Sequence, residues 1–179
     1  KKSYPNIEFS TVDALKISYE CEWDIIFSNA VFHWINDHNL LLQKIFKALK
    51  PNGKLICEFG AYGNISVIEN GFKNALQKIG ITYTSKFNFP TVNDFEHILT
   101  ENGFMIEQIY SYDRPTPLKD GEQGLYNWAI QFFQSELGQI SAEQKDSVLT
   151  AMSNEVKNIL WNGTCWVADY KRLRVIATK

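Results

Sequence analysis

Apolar and polar positions along this chain switch between two periods. Trp23-Asp24-Ile25-Ile26-Phe27 is a short, nearly continuous apolar run, the pattern of a strand buried on both faces of a parallel sheet. Past Asp37 the period becomes helical: Leu42, Ile45, Phe46 and Leu49 fall at i, i+3, i+4 and i+7, with Lys47 and Lys50 near the C-terminal end and Pro51 as a stop. Asn52-Gly53 supplies a turn, and Lys54 to Phe59 reads as a second strand. Strand, helix and strand joined by a short return loop make the two strands parallel. Ligands of open α/β sheets sit beyond the carboxyl ends of such strands. Those ends carry Ser28, Asn29, Ala30, Phe32, His33 and Trp34 after the first strand, and Gly60, Ala61 and Tyr62 after the second.

Upstream, Ile7 to Ser10 reads as a short strand with Asp13 just past it, as a turn or cap residue or as a ligand contact. Downstream, Asn64 is the expected cap of a helix with Ile65, Ile68, Phe72, Leu76 and Ile79 on one face, ending at Gly80. Lys86 to Pro90 is a loop. Thr91 and Asp94 form a capping box for a helix that turns Phe95, Ile98 and Leu99 inward, and Phe104 to Tyr112 is a strand. A proline-bearing loop from Asp113 to Gly121 leads into two amphipathic helices, Glu122 to Leu137 and Ser141 to Leu160, separated at Gly138. Leu125, Trp128, Ala129, Phe132, Phe133 and Leu137 share a face of the first; Val148, Met152, Val156 and Ile159 share one of the second. The last strand is Arg172 to Thr178, with Leu173, Val175 and Ala177 facing one way and Arg172, Arg174 and Ile176 the other. The helical pair lies between two strands, so it reads as an insertion packing over one end of the sheet. The organisation expected is a partial core over 1–112, a helical lid over 113–165 and the last strand over 166–179.

A chain of 179 residues with 45% apolar and 14% aromatic content can bury a core and is not disordered. The net charge of -2 gives no electrostatic footprint for nucleic acid or an anionic membrane. No apolar stretch approaches the roughly 20 residues of a membrane helix, so the expectation is a cytoplasmic protein. Cys21, Cys57 and Cys165 are too few and too far apart for a zinc site or a disulfide framework, and read as buried thiols. His38 and His97 read as surface residues without partners at metal-ligand spacing.

Trp23 to Ala30 with Phe32-His33-Trp34, then Leu49-Lys50-Pro51-Asn52-Gly53-Lys54-Leu55, and Asp169-Tyr170-Lys171-Arg172-Leu173-Arg174 near the end, resemble class I S-adenosylmethionine-dependent methyltransferases. Within them the chain is similar to the trans-aconitate methyltransferase group, with malonyl-carrier-protein O-methyltransferases as relatives. The resemblance implies the C-terminal part of a Rossmann-like methyltransferase sheet with a helical lid insertion. The family's glycine-rich loop and the acidic end of its second strand have no counterpart here, and Lys1 to Asn6 looks like a helix end running into a turn. On that reading Ile7 to Ser10 lacks its natural neighbour. It is then poorly ordered or pairs with another chain, the exposed surface being a candidate for homo-oligomer formation. The remaining strands should lie in the order Trp23–Phe27, Lys54–Phe59, Arg172–Thr178, Phe104–Tyr112.

The same resemblance implies a small-molecule acceptor and S-adenosyl-L-methionine as cofactor. Asp13 matches the position that accepts from the adenine amine and Ala14 its neighbouring backbone donor, while Ser28, Asn29 and Ala30 match the loop at the methionine end. His33 and Trp34 are either a packed structural pair or cleft residues beside the substrate. Tyr62 and Arg114 are further substrate-binding candidates; Tyr126 and Trp128 are candidates for lining an acceptor pocket, although helical spacing makes Trp128 more often a core residue. Arg172 and Arg174 suit a carboxylate clamp or ion pairing, for instance with Asp169. No nucleophile–base constellation stands out, which accords with a carboxylate acceptor that is already ionised at neutral pH.

Overall fold

The computed structural model describes residues 4–179. Part of the expected N-terminal helix end, Lys1 to Ser3, lies outside the described residues. A four-stranded sheet carries β1 (Trp23–Asn29), β2 (Leu49–Gly60), β3 (Met105–Asp113) and β6 (Lys171–Thr178) in the order β1-β2-β6-β3. This is the order that the family resemblance implies. The β1–β2 pair is parallel, and β6 runs antiparallel to both β2 and β3. Two-residue strands β4 (Thr116–Pro117) and β5 (Val167–Ala168) pair beside it.

Between β1 and β2 runs α1 (His38–Ala48), capped by the Asp37 carboxylate, which accepts from the Leu40 amide at 2.8 Å. Its last carbonyls are met by the chain leading into β1: the Cys21 amide donates to Lys47 O and the Glu22 amide to Ala48 O. The strand β2 starts earlier than the sequence suggests. Leu49 already pairs with Trp23, and Asn52 takes a positive φ in the irregularity before Lys54 rejoins the register opposite Ile25. Helix α3 (Val92–Glu101) has the expected Thr91–Asp94 capping box. Together α1, α3 and the inward faces of β2 and β6 bury one apolar cluster around Leu42, Phe59, Phe95 and Val175.

Helix α2 (Ser66–Lys78) packs instead with α4 (Gly124–Phe132), α5 (Gln134–Leu137) and α6 (Ala142–Leu160), in a second cluster around Phe72, Phe133 and Met152. The expected single helix from Glu122 to Leu137 is broken at Phe133. There the ring stacks on Phe72 with centroids 4.0 Å apart. Helix α6 spans the expected residues and is capped at Ser141 by a capping box with Gln144, but Ile159 points outward.

Several expectations are corrected. Ile7 to Ser10 forms no strand; Ile7 and Phe9 are exposed, and no ladder partner exists among the described residues. Nor is β1 buried on both faces: it is an edge strand, with Ile25 58% and Phe27 69% exposed on a sheet face left open. A run of apolar residues signals two-sided burial only when both faces are covered. Asn64 does not cap α2; its carbonyl accepts from the Lys171 amide, and the Asp169 carboxylate bonds the Val67 amide instead. Cys21 is exposed and Cys165 partly so, leaving Cys57 as the buried thiol. His38 is buried: it donates from Nε2 to Phe32 O at 3.0 Å and presents Nδ1 to the Asn88 amide. No helix among the described residues is long and apolar enough to cross a membrane.

Candidate functional site: an aromatic cleft at the carboxyl end of β2

Because β6 runs antiparallel to β2, its first residues meet the carboxyl end of β2, with Arg172 opposite Gly60. The chain leaving β1 turns at Ala30, whose φ is 58° and whose amide donates to Glu58 O at 2.7 Å. A short 3-10 turn, Phe32–Trp34, follows. Its Phe32 ring is buried in the core against Phe59. This anchors the turn and leaves His33 and Trp34 facing the neighbouring segment Phe87 to Phe89. Asn88 staples that segment down: its backbone amide donates to His33 O, and its side-chain amide donates to Ile35 O and Asn36 O.

The result is a cleft of ≈ 250 Å³. Ala30, His33 and Trp34 form one wall, Phe87 and Phe89 a second, Trp128 and Phe132 a third, with Asn64, Tyr170 and Arg172 contributing polar groups. Trp34 meets Phe87 edge-on at 4.8 Å and lies parallel to Phe132 at 6.3 Å. Gly60 has to be glycine here, since a Cβ would stand 2.3 Å from the Phe89 ring. Its amide donates to His33 Nδ1 at 3.1 Å. An amide cannot accept, so Nδ1 is unprotonated and the imidazole proton sits on Nε2. Burial and the nearby Arg172 charge lower the His33 pKa to about 4; the ring is neutral at pH 7.

Arg172 is partly buried, with its guanidinium 4.7 Å from the centre of the Tyr170 ring, and desolvation holds its pKa below the usual value. The other two candidate arginines are engaged elsewhere. Arg174 and Arg114 both bind the buried Glu58 carboxylate, at 2.7 and 3.1 Å, and Tyr112 donates to it at 2.9 Å. That cluster borders a second cavity of ≈ 530 Å³ on the open sheet face, which also takes in Phe27 and Asn29. The suggested Arg174–Asp169 pair does not form, because Asp169 is committed to α2.

The sequence-derived candidates therefore divide. Ala30, His33, Trp34 and Trp128 are brought together in the cleft. Ser28 is half-buried, and Asn29 opens to the other cavity. Asp13 caps the short Ala14–Lys16 turn, accepting from the Leu15 amide at 3.0 Å, and Ala14 packs on the core. Tyr62 is 69% exposed and lies outside the cleft, as does Arg114. Tyr126 donates to Asp146 on α6. The cleft residues that the sequence did not mark as site residues are Asn64, read as a helix cap, Phe132, read as part of a helix face, and Phe87, Phe89 and Tyr170; the two phenylalanines flanking Asn88 in a loop were the available signal. No group of acidic, histidine or cysteine residues able to hold a metal occurs among the described residues.

A methyltransferase domain model matches residues 1–57. An uncharacterized methyltransferase of Schizosaccharomyces pombe is 28% identical over 94% of this chain and 66% of its own length. A malonyl-[acyl-carrier protein] O-methyltransferase of Priestia megaterium is 33% identical over 38% of this chain and 25% of its own length. The chain thus spans less than two thirds of either relative. The crystal structure of the YcgJ protein from Bacillus subtilis superimposes with a TM-score of 0.59 at 14% identity, covering 99% of this chain and 73% of that one. On these matches the chain is similar in sequence to methyltransferases, and its fold is the Rossmann-like one of the solved structure.

Proposed function

We propose that the protein transfers a methyl group from S-adenosyl-L-methionine to a carboxylate oxygen of a small acceptor. The observation carrying this reading is the aromatic cleft at the carboxyl end of the parallel pair. It opens at Ala30, is small, and presents hydrogen-bond donors to whatever occupies it. Several residues suit parts of the cofactor. Asp13 keeps an exposed carboxylate oxygen with Lys16, 3.9 Å away, as its charged neighbour among the described residues, the acceptor an adenine amine requires. Ala14 offers backbone beside it, and Ser28, Asn29 and the small Ala30 line the strand end on the methionine side. When bound, the cofactor supplies an electrophilic sulfonium methyl. His33 and Trp34 then belong to the acceptor wall, and Tyr62 and Arg114 drop out of the site.

An ionised carboxylate needs no general base, so the chain's task is to hold the acceptor in line and exclude water. The neutral His33 fits that division: with a pKa of about 4 and its proton on Nε2, it is a donor rather than a base. Titration calorimetry with S-adenosylhomocysteine, followed by transfer of labelled methyl into a base-labile ester, tests the proposal. Absence of both would sink it.

A second reading is favoured by the open sheet face: a non-catalytic module that associates through exposed Trp23, Ile25, Phe27 and Met105. Concentration-dependent size in sedimentation, without homocysteine-analogue binding, would select it.

A further inference from the structure

We propose that Arg172 and the Nε2–H of His33 form an anion clamp in the aromatic cleft, holding a carboxylate of the acceptor that is not the one methylated. This rests on the reading of the cleft as the acceptor site.

Four polar side chains reach the cleft, and each offers it a donor. The Arg172 guanidinium has no carboxylate or hydrogen-bond partner among the described residues, unlike Arg114 and Arg174, which are both bound to Glu58. His33 has its Nδ1 occupied by the Gly60 amide, which leaves Nε2–H without a protein partner. Asn64 accepts the Lys171 amide on Oδ1 at 2.9 Å, so its NH2 is the end left over. Tyr170 accepts from Trp128 Nε1 at 2.6 Å, so its own hydroxyl proton is free. No carboxylate lines the cleft. The Glu58 carboxylate acts on Arg172 only from a distance, being bound directly by Arg114 and Arg174; a half-buried guanidinium with no direct partner is costly, and an anion on the ligand supplies one. The planar aromatic walls suit a flat, unsaturated body attached to that anion.

The clamped carboxylate is not the nucleophile for an electrostatic reason. When a carboxylate attacks a sulfonium methyl, its negative charge dissipates toward the transition state. A cation bound against the attacking oxygen would therefore stabilise the ground state more than the transition state. Arg172 serves better on a group that stays charged throughout, with the reacting oxygen directed toward Ala30.

The test is a fluorescence titration, since Trp34 and Trp128 both line the cleft. The probes are trans-cinnamate and trans-cinnamamide, isosteres that differ in charge. The acid should saturate at about tenfold or more lower concentration than the amide, the size expected of a charge-assisted pair. Arg172→Met should bring the acid down to the amide's affinity, and Arg172→Lys should fall between. His33→Phe should weaken the acid several-fold and the amide, whose carbonyl accepts the same bond without charge, less. Equal affinity of acid and amide for the unaltered protein, a comparison needing no variant, would overturn the clamp, as would the lack of any saturable change. With S-adenosylmethionine present, cinnamate should remain unesterified; formation of methyl cinnamate would show that the clamped group is the one that reacts. Failure of the charge test while S-adenosylhomocysteine still binds rejects the clamp alone. Charge-selective cinnamate binding without any homocysteine-analogue binding rejects methyl transfer and keeps the clamp.

Discussion

The Asp169 carboxylate accepts a hydrogen bond from the Val67 amide at 2.7 Å, across 102 residues of chain. The Ile65 amide adds a bond to Asp169 O at 3.0 Å. The N-terminus of α2 is thus capped from the segment that leads into β6, and the two structural clusters are tied at this point. The other carboxylate oxygen, Oδ1, is buried with no hydrogen-bond partner among the described residues, and burial raises the Asp169 pKa.

Substitution at Asp169 should separate the cap from the charge. Asp169→Ala loses the acceptor and is expected to cost about 1 kcal/mol. Asp169→Asn keeps an acceptor for Val67 and removes a desolvated charge, so at pH 7 it should match or exceed the wild type in denaturant melts. A raised folded-state pKa favours the folded state when the acid is protonated. That contribution is complete below the ordinary aspartate value and is lost as pH rises through the folded value. The advantage of the amide should therefore shrink on acidification toward pH 4. An Asn variant as unstable as the Ala variant at pH 7 would contradict this account.

At Gly71, α2 packs tightly on α6: a Cβ there would stand 2.6 Å from Val156 Cγ1. In an exposed helix, Gly→Ala gains about 1 kcal/mol. Here overpacking reverses the sign, and Gly71→Ala should lose about 1–2 kcal/mol. Val156→Ala removes the obstructing methyl groups. The double variant should therefore be more stable than the sum of the two single effects predicts, a coupling readable in a double-mutant cycle.

Glu58 is 8% exposed and holds Arg114, Arg174 and Tyr112 together on the open sheet face. Glu58→Gln leaves two guanidinium groups side by side without their counter-charge. Because both arginines are about half exposed, solvent screens the loss, and the expected cost is about 1–2 kcal/mol. Raising salt should narrow the gap between variant and wild type; a gap that widens would sink the electrostatic explanation.

His33 gives the protein a pH-dependent term of known sign. Its pKa is lowered to about 4 in the folded state, so the unfolded chain binds the proton more readily. Stability is full above the unfolded histidine value near 6.5 and falls as pH drops toward 4, by up to about 3 kcal/mol. His33→Gln, which can still accept from the Gly60 amide, should flatten that part of the curve between pH 7 and 4.5. Identical pH profiles for the two proteins would remove His33 as the cause.

Much of this molecule is legible from local pattern. The helices announce themselves through caps that act within a few residues, Asp37 on Leu40, Thr91 with Asp94 and Ser141 with Gln144. The strand order followed from a family resemblance, and the paired ladders agree with it. What failed depended on distant partners. Asn64 looked like a cap because its sequence neighbours do, but a carboxylate 102 residues from Val67 performs that task. Arg172 and Arg174 were indistinguishable in sequence, two residues apart on one face of a strand. Glu58 engages one of them and leaves the other in the cleft.

The sequence by itself determined the periodicities, the Thr91–Asp94 capping box and the parallel unit with Ser28 to Trp34 at its end, since these rest on interactions between residues close together in the chain. Only the tertiary structure decided which apolar strand face stays open, which histidine is neutral and which arginine is free. Burial and charge pairing depend on groups contributed by elements far apart in the chain, and no local pattern records where those groups will meet.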